Sequence, residues 1–295
     1  MTTFTTLAGG LSFTECPRWR DGRLYVSDFY THRVLALAMD GSMETLAHIP
    51  QQPSGLGFLP DGRMLIVSMR DRKILRRELD GSIVPHADLW SLAPAHLNDM
   101  LVDQDGRAWV GNFGFDLMGR APVKTTVLIC VEPNGAAHIA ADGLGFPNGM
   151  VMTPDGGTLI VAETTMNRLS AFQVNAGSLG ERRTWAAFGD PPTSTVIAEV
   201  LTQLSVLPDG ICLDAEGAVW VADAGNNRVL RVAEGGRITD QLDTGTGAFA
   251  CMLGGDDGRT LFVSAAPTFQ ESVASANHKA AIFMTKVKVP HAGLP

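Results

Sequence analysis

Six copies of one pattern of strand, turn, strand and third strand, Asp-Gly-type turns at blade-sized intervals, and the lack of any capped helical repeat together predict an all-β fold, a six-bladed β-propeller. The turn dipeptides are Asp21-Gly22, Asp61-Gly62, Asp105-Gly106, Asp155-Gly156, Glu216-Gly217 and Asp257-Gly258. They recur at intervals of 40 to 61 residues, about the length of one blade. No amphipathic segment of period 3.6 extends over three turns, and the β-branched and aromatic residues collect in the repeated strands.

Each turn is followed by a near-identical second strand: RLYVSD from Arg23, RMLIVSM from Arg63, RAWVGN from Arg107, TLIVAE from Thr158, AVWVAD from Ala218 and TLFVSA from Thr260. A third strand follows in every copy, beginning at Arg33, Lys73, Thr126, Arg168, Arg228 and Ala280. Asp-Gly pairs tolerate the positive φ of tight hairpins, so strands joined by them read as antiparallel meanders. The repeat runs from about Glu15 to Val287 without a linker, which predicts a single propeller domain over residues 1–295. Its blades start near residues 15, 53, 97, 147, 208 and 249. Thr2 to Leu11 is expected to supply the outer strand that closes the ring with the last blade. The stretch Gly177 to Val206, containing Asp190-Pro191-Pro192, reads as an insertion or an extended outer hairpin.

Composition narrows the function classes. The net charge of −8, with a pI near 5.3 and no Lys/Arg run, argues against a nucleic-acid surface, which needs a concentrated basic face. Apolar stretches such as Thr158 to Ala162 fall far short of the ~20 residues of a membrane-spanning helix, so no membrane partner is expected. Met1 to Gly10 lacks the basic region, apolar stretch and cleavage site of a secretory signal, and the expected compartment is the cytoplasm. Cys16, Cys130, Cys212 and Cys251 are scattered without a CxxC pair, so they read as reduced strand cysteines. A small molecule or a cation suits this balance as partner.

The turns also fix the register of the innermost strands, whose starts converge at one end of the propeller axis. Counting back seven residues from the acidic turn residue reaches Ser54, Asn98, Asn148, Asp209 and Ala250. In the first copy Glu15 stands six residues before Asp21. Unpaired carboxylates and amides in a narrow channel carry a large desolvation cost. Glu15, Asn98, Asn148 and Asp209 therefore suggest an oxygen-only divalent metal site of hard character. A hydrogen-bonded plug of polar side chains and buried water would use the same residues.

The segments ECPRW from Glu15, LNDMLVDQDGRAWVGN from Leu97, FPNGMVMTPDG from Phe146 and PDGICLDAEGAVWVADAGNNRVLRV from Pro208 closely resemble the regucalcin (senescence marker protein)/gluconolactonase family of metal-dependent lactonases. The resemblance covers nearly the whole chain, in order. It implies that Glu15, Asn148 and Asp209 are metal ligands, that Asn98 contacts substrate or completes the metal shell, and that Asp209 is the general base. The implied ion is Ca²⁺ first, with Mg²⁺, Mn²⁺, Zn²⁺ or Fe²⁺ as alternatives, and the implied reaction opens a lactone to its hydroxy acid. His96 and Asp99 are second candidates for proton transfer, since a carboxylate bound to a cation is a weak base. Where sugar-lactone members often carry Arg two residues before the third-blade Asn, this chain has His96. His96, Phe113 and Phe146 join Asn98 as candidate substrate contacts. Phe29, Met69, Phe115 and Met252 fall near strand ends on the same rim, where a more apolar pocket and ordinary packing between blades both account for them.

Two rival readings use the same ring: a phosphotriesterase-like hydrolase, because related six-bladed propellers carry a similar calcium site, and a non-catalytic binding propeller. No G-x-S-x-G elbow, H-E-x-x-H helix or phosphate-binding P-loop is present. Glu163 and Asp223 end matching second strands, with the rim and solvent both open to them.

Overall fold

Each acidic-Gly turn joins the two innermost strands of one antiparallel sheet, and six such sheets form the fold. The structure is a computed structural model and describes residues 4–293. Thr2 and Thr3 lie outside the described residues. The innermost strands are Thr14–Arg20, Pro53–Phe58, Leu97–Val102, Pro147–Met152, Pro208–Leu213 and Gly247–Gly254. Each packs against the innermost strands of both neighbours, so the six close into a ring around a common axis. The protein is a six-bladed β-propeller.

Every blade carries a fourth, outer strand, such as Met43–His48 in the first and Ile83–Asp88 in the second. In the last blade that strand comes from the other end of the chain: Thr5–Leu11 pairs antiparallel with Ala280–Lys286. Trp19 of the first blade stacks on Phe262 of the last at 5.3 Å between ring centroids, adding an apolar contact to this closure. The stretch after Asn175 forms a short hairpin through Ser178–Leu179, the outer strand Arg183–Ala187, and the helix Ile197–Gln203. No helix among the described residues is long and apolar enough to cross a membrane.

The turns explain the one-residue offset of Glu15. Arg20 pairs directly with Arg23, leaving the two-residue loop Asp21-Gly22, and both residues have positive φ. In the second blade Gly62 N donates to Leu59 O while Leu59 N donates to Arg63 O, which is a three-residue loop with glycine in the left-handed region. The third and fifth blades repeat this around Gly106 and Gly217. The longer loop adds one residue between ring and turn.

All six innermost strands break register where the ring residue sits. The shift falls between Glu15 and Arg18, Pro53 and Leu56, Leu97 and Met100, Pro147 and Met150, Pro208 and Ile211, and Ala248 and Ala250. A bulge re-aims side chains that strict alternation would send to opposite faces. Close packing beside it demands glycine: a Cβ on Gly149 would lie 2.5 Å from Asp209 O, and one on Gly210 would lie 2.6 Å from Ala250 Cα.

Candidate metal centre and active site

Glu15, Asn98, Asn148 and Asp209 occupy equivalent positions on four innermost strands. They keep 8%, 7%, 4% and 8% exposure, whereas Asp28, Glu163 and Asp223 at the ends of second strands have none. The first group is therefore reachable from the mouth and the second is sealed. Glu163 is bound by Arg168, Ser170 and the amide of Gly145, and Asp223 by Arg228, Asn226 and the amide of Leu207. Asp28 holds the amides of Ser12 and Phe13 in the same way. These acids are structural anchors for the chain entering each innermost strand, and neither Glu163 nor Asp223 faces rim or solvent.

The two amides are oriented by a chain of hydrogen bonds. Asn98 Nδ2 donates to Asn148 Oδ1 at 2.9 Å, and Ser54 Oγ donates to Asn98 Oδ1 at 3.4 Å. Asn148 Nδ2 donates to Thr164 Oγ1 at 3.1 Å, and Thr164 Oγ1 in turn donates to Pro208 O at 2.8 Å. Thr164 belongs to this chain of bonds although no repeated motif marks it. Its signal is positional: it stands just past the fourth second strand, where other blades place Phe29, Met69 and Phe113.

The carboxylates are held far from their ordinary behaviour. Burial, then the negative charges of Asp209 and Asp99, push the Glu15 carboxyl well up. Burial and Asp99 push Asp209 well up, against smaller opposing hydrogen bonds from Asn148 and the Gly210 amide. Asp99 itself turns to the first blade. Its Oδ1 lies 3.3 Å from Arg18 Nη2 and accepts from Met100 N at 2.7 Å and Cys16 Sγ at 2.8 Å. Through Oδ1 this carboxylate is a buried counter-charge for Arg18.

A second layer lies one step above the ring. The amides of Phe29, Met69, Phe113, Thr164 and Ala224 donate to the carbonyls of Phe13, Gln52, His96, Phe146 and Leu207 respectively, each of the latter two residues before a ring position. Phe113 and Phe146 meet edge to face at 4.7 Å, as do Phe13 and Phe249. His96 is half-buried, with its ring 6.2 Å from that of Phe113 and no hydrogen bond to the ring among the described residues. Burial and the charges of Arg70 and Arg72 lower its pKa, leaving a neutral imidazole at pH 7. Above this layer the helix Glu271–Asn277 packs on the turn Phe29–Thr31. Arg70 pairs with Glu271 at 2.7 Å, and Tyr30 Oη donates to Phe269 O.

Elsewhere, Phe115 and Met252 are buried. Met252 lines a cavity of about 110 Å³ with Asp103, Thr153, Leu213 and His291, beside the turns at the opposite end of the inner strands. The four cysteines are free and buried. Cys130, Glu132 and His138 bring their ligand atoms within 4.8 Å of one another on the outer half of the third blade, but Arg107 already engages Glu132 at 3.3 Å.

The family description "SMP-30/Gluconolactonase/LRE-like region" matches residues 13–267. The chain belongs to this family. Among SMP-30/gluconolactonase relatives, it is 26% identical to the 6-deoxy-6-sulfogluconolactonase of Pseudomonas putida over 290 residues, covering 95% of this chain and 93% of the relative. It is likewise 26% identical to the pentonolactonase of Haloferax volcanii, covering 85% and 81% of the two chains. Among solved structures, a calcium-binding regucalcin from Agrobacterium tumefaciens superposes with a TM-score of 0.79 at 20% identity, covering 100% of this chain and 97% of that one. At that identity the likeness speaks for the fold.

Proposed function

We propose that this protein is a metal-dependent lactonase that hydrolyses a cyclic ester to its hydroxy acid. The carrying observation is the ring of Glu15, Asn98, Asn148 and Asp209: oxygen donors at the channel mouth, with two carboxyls raised by burial and by neighbouring negative charge, that of Asp209 and Asp99 on Glu15 and that of Asp99 on Asp209. Two carboxylates and two carboxamide oxygens make a donor set that fits a hard divalent cation. Glu15, Asn148 and Asp209 would hold it, with Asn98 beside them, and oxygen-only chemistry favours Ca²⁺. Lactonase relatives matching almost end to end support the reaction class.

A divalent ion held there would supply Lewis-acid polarisation of a carbonyl and a lowered pKa of nearby water. The chain's own residues do the rest. Asn148, fixed by Thr164 and Asn98, would turn its Oδ1 to the cation, and the second Nδ2 hydrogen of Asn98 would orient the carbonyl end of the substrate. Asp209 takes the proton from the attacking water at a carboxylate oxygen. As the ring C–O bond breaks, the departing alkoxide would take up the proton that Asp209 received from the water, and the product would leave as the hydroxy acid. Neutral His96 meets the substrate from the rim as a hydrogen-bonding group.

Chelator-treated and calcium-reloaded protein, assayed for acid release on sugar and aliphatic lactones and on a phosphotriester, tests the reading. Activity is expected on lactones and only after reloading. Full turnover in metal-free protein would sink the mechanism, and turnover of the phosphotriester alone would replace the reaction class.

A further inference from the structure

We propose that the substrate is an apolar lactone, one bearing hydrocarbon rather than hydroxyl groups, gripped by the layer of side chains directly above the ligand ring. The reaction class rests on the lactonase reading; the choice of substrate rests on this layer. Its members alternate between the residue two before each ring position and the residue after each second strand, tied by the backbone hydrogen bonds described above. Phe13, Phe29, Met69, Phe113, Phe146 and Leu207 give it a hydrocarbon wall on five of the six blades.

The polar members of that layer are already engaged. Thr164 is committed to Asn148 and Pro208. Gln52 donates to Met69 Sδ at 3.1 Å and accepts from Arg70 Nε at 2.9 Å. The nearby cations are spent as well: Arg70 on Gln52 and Glu271, and Arg72 on the Ala93 carbonyl at 3.0 Å and the face of Trp90. His96 alone in this layer keeps a ring without a hydrogen-bond partner among the described residues. One neutral imidazole can serve one oxygen. The further hydroxyls of a sugar lactone would lose water against aromatic rings and find no donor, each at a cost of roughly tenfold in affinity. An alkyl substituent would instead cover apolar surface and gain about fourfold per buried methylene.

The test compares δ-valerolactone, δ-nonalactone and glucono-1,5-lactone, all six-membered lactones, with the calcium-loaded protein after subtraction of spontaneous hydrolysis. We expect kcat/KM to rise at least tenfold from δ-valerolactone to δ-nonalactone, and δ-nonalactone to exceed the gluconolactone by on the order of a hundredfold. Met69→Gln, compared at temperatures where its thermal melt shows it folded, should cut that preference about tenfold. Calorimetric binding of the matching lactams, 6-butylpiperidin-2-one and glucono-1,5-lactam, reads the pocket without turnover. Tighter binding of the butyl lactam supports the inference even if no lactone is hydrolysed, in which case the lactonase reading falls alone. Equal or better use of the gluconolactone, or tighter binding of its lactam, overturns the inference and leaves the lactonase reading standing.

Discussion

Asn98 Nδ2 donates to Asn148 Oδ1 across 2.9 Å, linking the innermost strands of the third and fourth blades at the level of the proposed metal. Asn148 Nδ2 is committed to Thr164, so its oxygen is the end that faces Asn98 and the channel. Asn98 therefore positions a ligand as well as offering an oxygen of its own. Asn148→Ala is expected to weaken calcium binding more than a hundredfold, and Asn98→Ala by about 10- to 100-fold, the range for groups that orient a metal ligand. Titration calorimetry on both variants decides it; wild-type affinity in Asn98→Ala would remove Asn98 from the metal centre.

Calcium should stabilise the protein more at pH 7.5 than at pH 5. Glu15 and Asp209 have folded pKa values above their unfolded ones. Above the ordinary carboxylate range the metal-free folded state thus binds more protons than the unfolded chain, and its stability falls as pH rises through the raised values. A cation relieves that repulsion and competes with those protons. At a hundredfold excess over Kd, a rise in Tm of roughly 4 °C is expected at pH 7.5. Thermal melts with calcium and with chelator at both pH values measure the difference, and an equal gain at the two would contradict the assignment.

Arg18 and Asp99 form a buried ion pair that crosses from the first blade to the third. Arg18 Nη2 also donates to Met100 O at 2.6 Å, and Nη1 to Pro17 O at 2.9 Å. Removing one partner strands a charge beside two other acids, so Arg18→Met should cost about 3–5 kcal/mol. The double variant Arg18→Met with Asp99→Asn should recover part of that loss. Urea unfolding of the two proteins reads it, and a double variant no more stable than the single would refute the pairing.

Strands were legible where burial is two-sided. Val26, Ile66 and Val110 sit in runs whose apolar content survives without knowledge of any neighbour. The outer strands were not legible, because Met43–His48 buries only Ala47 and carries no repeated pattern. Ring positions could be counted from the turns because the loops are nearly uniform, and the one short loop, Asp21-Gly22, accounts for the single deviation. The surroundings of the ring were hidden for a different reason. Strict alternation would send Asn98 and Asp99 to opposite faces, but the bulge brings both to the channel and gives Asp99 to Arg18. Likewise the Arg partners of Glu163 and Asp223, five residues downstream, are ordinary in sequence and decisive in space.

The glycine after Asn148 offers the most local test of how closely the axis is packed. Gly149 does not have the positive φ that usually explains glycine, so only space explains it. A Cβ there would lie 2.5 Å from Asp209 O and 2.6 Å from Ile211 N, both backbone atoms that cannot rotate away. Overpacking of this kind costs about 1–3 kcal/mol. The strain falls on the peptide that carries a proposed metal ligand and base. Gly149→Ala is therefore expected to lose calcium affinity and lactone turnover beyond what its lower stability explains at temperatures where it remains folded. Gly9→Ala serves as control: it lies on the outer strand Thr5–Leu11, has nothing within 4 Å of its Cβ position, and should change stability by less than about 0.5 kcal/mol. Paired melts and calcium titrations of the two variants measure the contrast, and a Gly149→Ala protein that binds calcium like the control would show that the inner strands separate more easily than their spacing indicates.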